Sequence, residues 1–195
     1  MAATNEEYRR LYMELYELLD RAYMDRYMLE EMLNYNESIR QQKNGIKTRA
    51  YYVLGHTFRV LKEDLCLTLW KVYYDTDSRA HTIRKMAYYL HDAAQKNCES
   101  KISKEMEVYK SAIDTIRKQG LAHNDKDKSQ TYIDLKVLFQ ILDEIRMLFV
   151  SMYDRSIDTG VPRMDDNHLR ALKRYCTEGI HLMLYRDEHP VVFRS

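Results

Sequence analysis

The sequence predicts an all-α protein, a single-domain helical bundle of five to six helices, and three observations lead to this prediction. The chain of 195 residues contains only 5 Gly and 2 Pro, so residues typical of tight turns and strand ends are scarce. It is rich in Leu, Lys, Glu, Arg and Met, which are good helix formers. Apolar residues recur at helical spacing in one segment after another. Because a chain of this length can bury one substantial core, we expect residues 1–195 to form one domain.

The N-terminal helix is expected within residues 1–45. Thr4 and Glu7 have the spacing of a capping box, in which two side chains close the first turn of a helix. Behind them, apolar residues recur at steps of about three, four or seven, which places them on one helix face. These residues are Leu11, Leu15, Leu18, Ala22, Leu29 and Met32.

Residues 46–157 are expected to form the core of the bundle. A broad apolar face over residues 50–72 predicts a central helix. The polar cluster at residues 75–78 has the composition of a turn and N-cap, and it separates this helix from a shorter one over residues 83–94. A regular apolar seam over residues 102–116 then predicts the helix that carries the candidate site described below.

The last two helices follow polar connectors. Ser129 is the expected N-cap of a helix that extends to about residue 153. The glycine and proline in residues 158–162 make the clearest break in the chain. Beyond it, a C-terminal helix is expected within residues 164–187, starting near Asp165 or Asp166.

The charge of the chain excludes a generally basic nucleic-acid binder. Lys and Arg together number 31 against 30 Asp and Glu, so the formal net charge is +1. Such a surface would not bind any nucleic acid strongly through counterion release, and a nucleic-acid site would have to be local. We found no signal sequence and no run of about 20 apolar residues that would span a bilayer. A cytoplasmic protein is expected.

The cysteines favour neither a disulfide framework nor a zinc knuckle. Cys66, Cys98 and Cys176 are an odd number and widely separated, with no Cys-x-x-Cys pair. We expect reduced thiols that pack as small apolar residues.

One Glu-x-x-His pair raises the question of a metal enzyme. Glu178 and His181 have the spacing of a ligand pair in di-iron helical bundles, but that site needs a second pair on another helix. The nearest relative, Asp165 with His168, lies on the same expected helix. We therefore expect no metal and no cofactor.

The stretch from Asp114 to Asp125 carries the chemistry that can be identified from sequence. Arg117 is a permanent cation suited to a phosphate, and His123 has an unperturbed pKa near neutrality. In one unbroken helix their side chains would diverge by about 240°. If the helix ends or kinks at Gly120, Arg117 can reach toward His123. The alternative is that Arg117 is a solvated helix residue and His123 a loop residue.

These residues resemble the Arg…His motif of the HEPN superfamily, which comprises all-helical proteins that include metal-independent ribonucleases. The sequence Gly-Leu-Ala-His-Asn-Asp at residues 120–125 is close to the usual end of that motif. Residues 63–75 and 83–90 are similar to the helix pair that precedes the motif in abortive-infection HEPN proteins of the AbiU type. The similarity covers roughly residues 50–150, with both regions in the expected order.

The resemblance implies a metal-independent endoribonuclease in toxin or phage-defence biology. Arg117 would bind the scissile phosphate of RNA, and His123 would act as general acid or base at the 2′-hydroxyl and the leaving oxygen. Lys118 would add charge for RNA binding, and Asn124 or Asp125 could orient the imidazole. The family typically forms homodimers that bring two motifs into one cleft, and an antitoxin partner is possible.

One position departs from the family pattern. The residue after the Arg is commonly Asn, Asp or His, but here it is Lys118, which cannot accept a hydrogen bond to orient the His. The second hypothesis is therefore a catalytically inactive HEPN-fold module that binds RNA or protein. Asp125 can equally be a residue that starts the loop.

Overall fold

The computed structural model describes residues 5–41, 49–77, 79–88, 110–111, 113–114, 117–118, 134–153 and 160–184. Within these ranges the regular structure is entirely helical and contains no strand, which confirms the all-α prediction for this part of the chain. Five α-helices have defined bounds, and residues 110, 111, 113, 114, 117 and 118 are also helical. The five are α1 (Asn5–Gln41), α2 (Arg49–Leu69), α3 (Ile83–Tyr88), α4 (Leu135–Ser151) and α5 (Asp166–Leu184).

Helix α1 is the element around which the others pack, because it contacts each of the other four α-helices. Its buried positions recur at helical spacing, as the sequence pattern predicts, and they supply much of the core. Helix α4 contributes a second buried seam, from Leu138 to Phe149. Helix α5 packs on α1 and runs parallel to it, since His168 contacts Asp20 while Thr177 contacts Glu31.

Tyrosines of α1 tie this helix to the loops at the ends of α4 and α5. The Tyr8 hydroxyl donates to the Met152 carbonyl at 2.5 Å, and the Tyr12 hydroxyl donates to the Pro162 carbonyl at 3.1 Å. Both rings are buried, and a buried hydroxyl without a partner would cost free energy. Backbone carbonyls satisfy both hydroxyls.

The start of α5 agrees with the sequence prediction, whereas the N-cap of α4 differs from it. Asp165 accepts a hydrogen bond from the His168 amide at 2.9 Å, so α5 begins at Asp166 as expected. Helix α4 is capped by Asp134, whose carboxylate accepts from the Lys136 amide at 2.9 Å. The N-cap prediction for Ser129 concerns a residue outside the described ranges, and the cap of α4 lies five residues further on.

Helix α2 continues into a π-helical turn, Trp70–Tyr74. The Asp75 amide donates to the Trp70 carbonyl at 2.9 Å, a bond that spans five residues instead of four. Val72, Tyr73 and Tyr74 are all buried within this turn. Three consecutive buried residues exceed what one face of a regular α-helix offers, and nothing in the apolar periodicity indicated this turn.

Candidate functional site

Arg117, the first residue of the candidate motif, lies on the aromatic ring that starts the π-helical turn. Its guanidinium carbon is 4.1 Å from the centroid of the Trp70 ring, within the range of a cation–π contact. Its Nη2 is 2.9 Å from Oδ1 of Asp114, one turn earlier in the same helix, and the side chain is 31% exposed. The guanidinium is thus held from two sides and remains partly open to solvent.

Lys118 shares the carboxylate that holds Arg117. Its Nζ lies 2.6 Å from Oδ2 of Asp114, and its side chain is 68% exposed. Hydrogen bonding to Lys118, together with the charges of Lys118 and Arg117, holds the pKa of Asp114 below its usual value. Among the described residues, two cations therefore share one carboxylate here.

Two hydrogen-bond donors at the contact between Arg117 and Trp70 are buried without an acceptor. Arg117 Nε and Trp70 Nε1 have no hydrogen-bond partner in the described part of the chain. A buried donor without a partner costs free energy, so each of these two groups calls for an explanation.

A second arginine lies at the other end of the same aromatic turn. Arg84 donates from Nη2 to the Tyr73 hydroxyl at 3.2 Å, and its guanidinium carbon is 4.8 Å from the Tyr73 centroid. Tyr74 contacts both Tyr73 and Trp70, at centroid distances of 4.7 and 5.9 Å. The π-helical turn therefore carries a guanidinium at each end of one continuous aromatic cluster.

Three of the five candidate site residues lie outside the described residues. This holds for His123, the expected acid or base, and for Asn124 and Asp125, the expected supporting residues. Arg117 and Lys118 are described, and they meet at Asp114.

Sequence reasoning missed Asp114 and Trp70 as parts of this site. Asp114 lies three and four residues before the two cations, the spacing of ion pairs on a helix, so the signal was present. Trp70 is 47 positions from Arg117 in the sequence. The contact between them depends on tertiary packing, and no sequence spacing indicates it.

A cluster between α1 and α5 has the residue types of a catalytic site. His168 Nε2 is 2.5 Å from Asp20 Oδ1, and the Tyr16 hydroxyl is 3.2 Å from the same nitrogen. The cluster connects two packed helices, and His168 is the partner of both Tyr16 and Asp20. We interpret it as a polar link that sets the position of α5 on α1.

Asp25 is a buried carboxyl group beside another carboxyl group. It is 6% exposed, and burial, followed by the charge of Asp64 and a hydrogen bond to it, raises the pKa of Asp25 well above its usual value. Arg21 binds Asp64 through Nε at 2.8 Å, so the pair shares one cation. This cluster joins α1 to α2.

Neither a metal centre nor a membrane span is found in the described part of the chain. No three His, Cys, Asp or Glu side chains of those residues converge as metal ligands. None of the described helices is both long enough and apolar enough to cross a bilayer.

Comparisons of the chain with protein families, with curated proteins and with solved structures find no match. The HEPN resemblance therefore depends on the residues quoted above, and its implications enter below as proposals.

Proposed function

We propose that the chain is a metal-independent endoribonuclease of the HEPN type, acting in toxin or phage-defence biology. The observation that carries the proposal is the preorganised guanidinium of Arg117, which lies 4.1 Å above Trp70 and is held by Asp114. A cation that is already fixed loses little freedom when a phosphate binds. It is also in place when charge develops in the transition state.

The chemistry follows from the substrate. The 2′-hydroxyl of RNA attacks the adjacent phosphorus, its proton passes to a base, and the 5′-oxygen leaves with a proton from an acid. Arg117 would stabilise the extra negative charge of the phosphorane, and His123 would transfer a proton. The products would be a 2′,3′-cyclic phosphate and a 5′-hydroxyl.

Lys118 favours the second candidate function, a catalytically inactive RNA-binding or protein-interaction module. Its ammonium group is bonded back to Asp114 at 2.6 Å. It has no acceptor with which to orient an imidazole. Arg117 and Lys118 would bind RNA in an active enzyme and in an inactive RNA-binding module, so these two differ only in cleavage, whereas a protein-interaction module need not bind RNA.

The binding partners are part of the same proposal. RNA is the expected substrate, a homodimer through the motif-bearing helices would bring two copies of Arg117 and His123 into one cleft, and an antitoxin partner is possible. A cytoplasmic location is the expectation that fits this biology.

The test is cleavage of structured and unstructured RNA in excess EDTA by the wild type and by Arg117→Ala and His123→Ala. We expect each substitution to slow cleavage by about 10²–10³-fold, because each removes a charge contact or a proton-transfer group. Arg170→Ala, an exposed arginine of α5, is the matched control and should cleave normally. Circular dichroism should show unchanged helicity.

Three outcomes separate the candidates. Cleavage that persists undiminished in His123→Ala contradicts the mechanism. Cleavage that EDTA abolishes and a divalent ion restores assigns the protein to a metal-dependent class. Binding of RNA that needs Arg117, without any cleavage by the wild type, supports the inactive module.

A further inference from the structure

Helix α5 carries a second apolar stripe on its exposed side. Its buried residues, Leu169, Cys176 and Ile180, face the core. A different set lies within an arc of about 80° at 100° per residue, and Tyr175 and Leu182 in this set are 63% and 73% exposed. We call this set the α5 stripe, and it consists of Ala171, Tyr175, Gly179 and Leu182, all exposed.

Nothing in the described part of the chain requires a glycine at position 179. It lies inside α5, its φ is not positive, and a Cβ added there would meet nothing within 4 Å. A glycine inside a helix weakens the helix relative to alanine. The neighbouring apolar residues Tyr175 and Leu182 are left in solvent, so both features suggest a surface that packs against something else.

We propose that a second copy of this chain packs antiparallel on the α5 stripe. When two copies of α5 run in opposite directions about a point between residues 176 and 177, Tyr175 comes within one residue, about 1.5 Å along the axis, of the partner's Gly179. In the same register Leu182 faces the partner's Ala171. Each large side chain then meets a small residue, which is how helices approach closely and interdigitate.

The charges beside the stripe fit the same register. Arg174 and Glu178 flank it on one side, are 68% and 61% exposed, and lie 3.7 Å apart within the protomer. In the antiparallel pair Arg174 lies within one residue, about 1.5 Å along the axis, of the partner's Glu178, and the two-fold axis repeats this proximity. A surface that complements itself in size and in charge is the kind of surface an isologous dimer requires, which is why we assign it to a second copy.

The stripe is short, which sets the expected strength of the dimer. From Ala171 to Leu182 it extends about 16 Å at 1.5 Å per residue, on a helix about 10 Å wide. Such a patch buries less than the roughly 800 Å² per partner of a standard interface. We therefore expect a dimer that dissociates on dilution.

This inference does not depend on the proposed ribonuclease. Arg117 contacts Trp70 and Asp114, and no residue of the α5 stripe takes part in those contacts. If the chain also paired through its motif, with the two two-fold axes crossing at right angles, it would form a tetramer, and loss of the α5 contact would reduce that tetramer to a dimer. In both cases a disrupting substitution on the stripe halves the mass of the assembly.

Sedimentation velocity of the full chain from about 1 to 500 μM tests the proposal. We expect the wild type to shift with concentration from the smaller to the doubled species, and Leu182→Lys and Gly179→Lys to keep the smaller one throughout. Met147→Lys is the matched control, because Met147 is 69% exposed on α4, outside the stripe. A wild type that never doubles overturns the proposal and leaves another protein as the occupant. Doubling that survives both substitutions also overturns it.

Gly179→Ala supplies a second measurement that misfolding cannot explain. The alanine has room in the protomer and favours the helix, so the melting temperature of the monomer at low concentration should rise. In the dimer its Cβ occupies the space that receives the partner's Tyr175, so the dissociation constant should increase by about 3–10-fold. A higher melting temperature with an unchanged dissociation constant would overturn the register proposed above.

Discussion

Arg26 and Arg117 both lie on aromatic rings, of Phe139 at 5.1 Å and of Trp70 at 4.1 Å, and their surroundings differ in charge. Arg26 is 19% exposed and binds Glu30 at 2.9 Å and Asp143 at 2.5 Å, while Lys173 shares Glu30. In that cluster two cations meet two carboxylates. At Arg117 two cations meet one carboxylate, that of Asp114. Among the described residues, the charges at Arg26 balance, whereas those at Arg117 leave one cation more than carboxylates, as the proposed phosphate site requires.

The donors at the two arginines differ in the same way. Burial lowers the pKa of Arg26, but its bond to Glu30 and the charge of Asp143 outweigh burial and raise the pKa above its ordinary value. Arg117, in contrast, has a buried Nε without an acceptor in the described part of the chain. The aromatic contact alone therefore does not identify a site, and the balance of charge and of satisfied donors does.

The largest effect on stability is expected from Arg26→Ala. It leaves Glu30 and Asp143 without their shared cation between α1 and α4, which costs about 2–3 kcal/mol of unfolding free energy for a partly buried cluster. Arg117→Ala removes one cation–π contact and one pair within a helix, so about 1 kcal/mol is expected. Urea unfolding followed by circular dichroism measures both values.

RNA binding should be affected in the opposite order, more by Arg117→Ala than by Arg26→Ala. Arg26→Ala, studied below its unfolding midpoint, should keep RNA binding, whereas Arg117→Ala should lose it. If Arg117→Ala destabilised the fold as much as Arg26→Ala and left RNA binding unchanged, the two arginines would have the same structural role and the comparison would fail.

A smaller effect is expected at Asp25, where a carboxyl group is buried beside Asp64. Because its pKa is raised in the folded state, the folded protein binds this proton more tightly than the unfolded chain. The resulting stability is complete below about pH 4, the ordinary carboxyl range, and is lost as the pH rises toward and past neutrality.

Asp25→Asn should remove that dependence. The amide carries no charge at any pH, so the variant should be more stable than the wild type by about 1–3 kcal/mol at pH 8 and no more stable at pH 4. Melting temperatures between pH 4 and pH 8 measure this, with Glu17→Gln, an exposed residue of α1, as the control. Equal pH profiles for Asp25→Asn and the wild type would show that the proton of Asp25 does not contribute to the pH dependence of stability.

The smallest effect is expected from Asp114→Asn, which sharpens the comparison at Arg117 itself. Removing the carboxylate frees Arg117 and Lys118 from their shared anion, so RNA affinity should rise by about 3–10-fold. The slope of log affinity against log salt concentration should become steeper by about 1, which corresponds to one additional phosphate contact. Cleavage should not rise in parallel, because the guanidinium is less firmly held. Fluorescence anisotropy at several salt concentrations gives the affinities, and a lower affinity would mean that Asp114 serves only to place Arg117.

The all-helical fold was predictable from sequence because the apolar residues of an amphipathic helix recur at a regular local spacing. The start of α5 at Asp166 followed from local chemistry in the same way. The π-helical turn did not, since it depends on burying Val72, Tyr73 and Tyr74 together.

For the site, the sequence indicated Arg117 and Lys118 by type and spacing. It did not indicate that Asp114 joins them or that Trp70 supports them. The first contact follows a helical rule that could have been applied, and the second joins two separate elements. The assignment of His123 remains a prediction from the resemblance alone.

The wide turn at Trp70–Tyr74 makes the length of this segment as important as its composition. Each residue of a helix advances about 100° around its axis, and the i to i−5 bond between Asp75 and Trp70 accommodates one residue more than a regular turn does. Deleting the exposed Lys71 would restore a regular turn, but it would rotate Trp70 relative to the buried tyrosines. The position of the Trp70 ring beneath Arg117 therefore depends on the number of residues in this turn. We expect substitutions in the turn to be tolerated more readily than insertions or deletions.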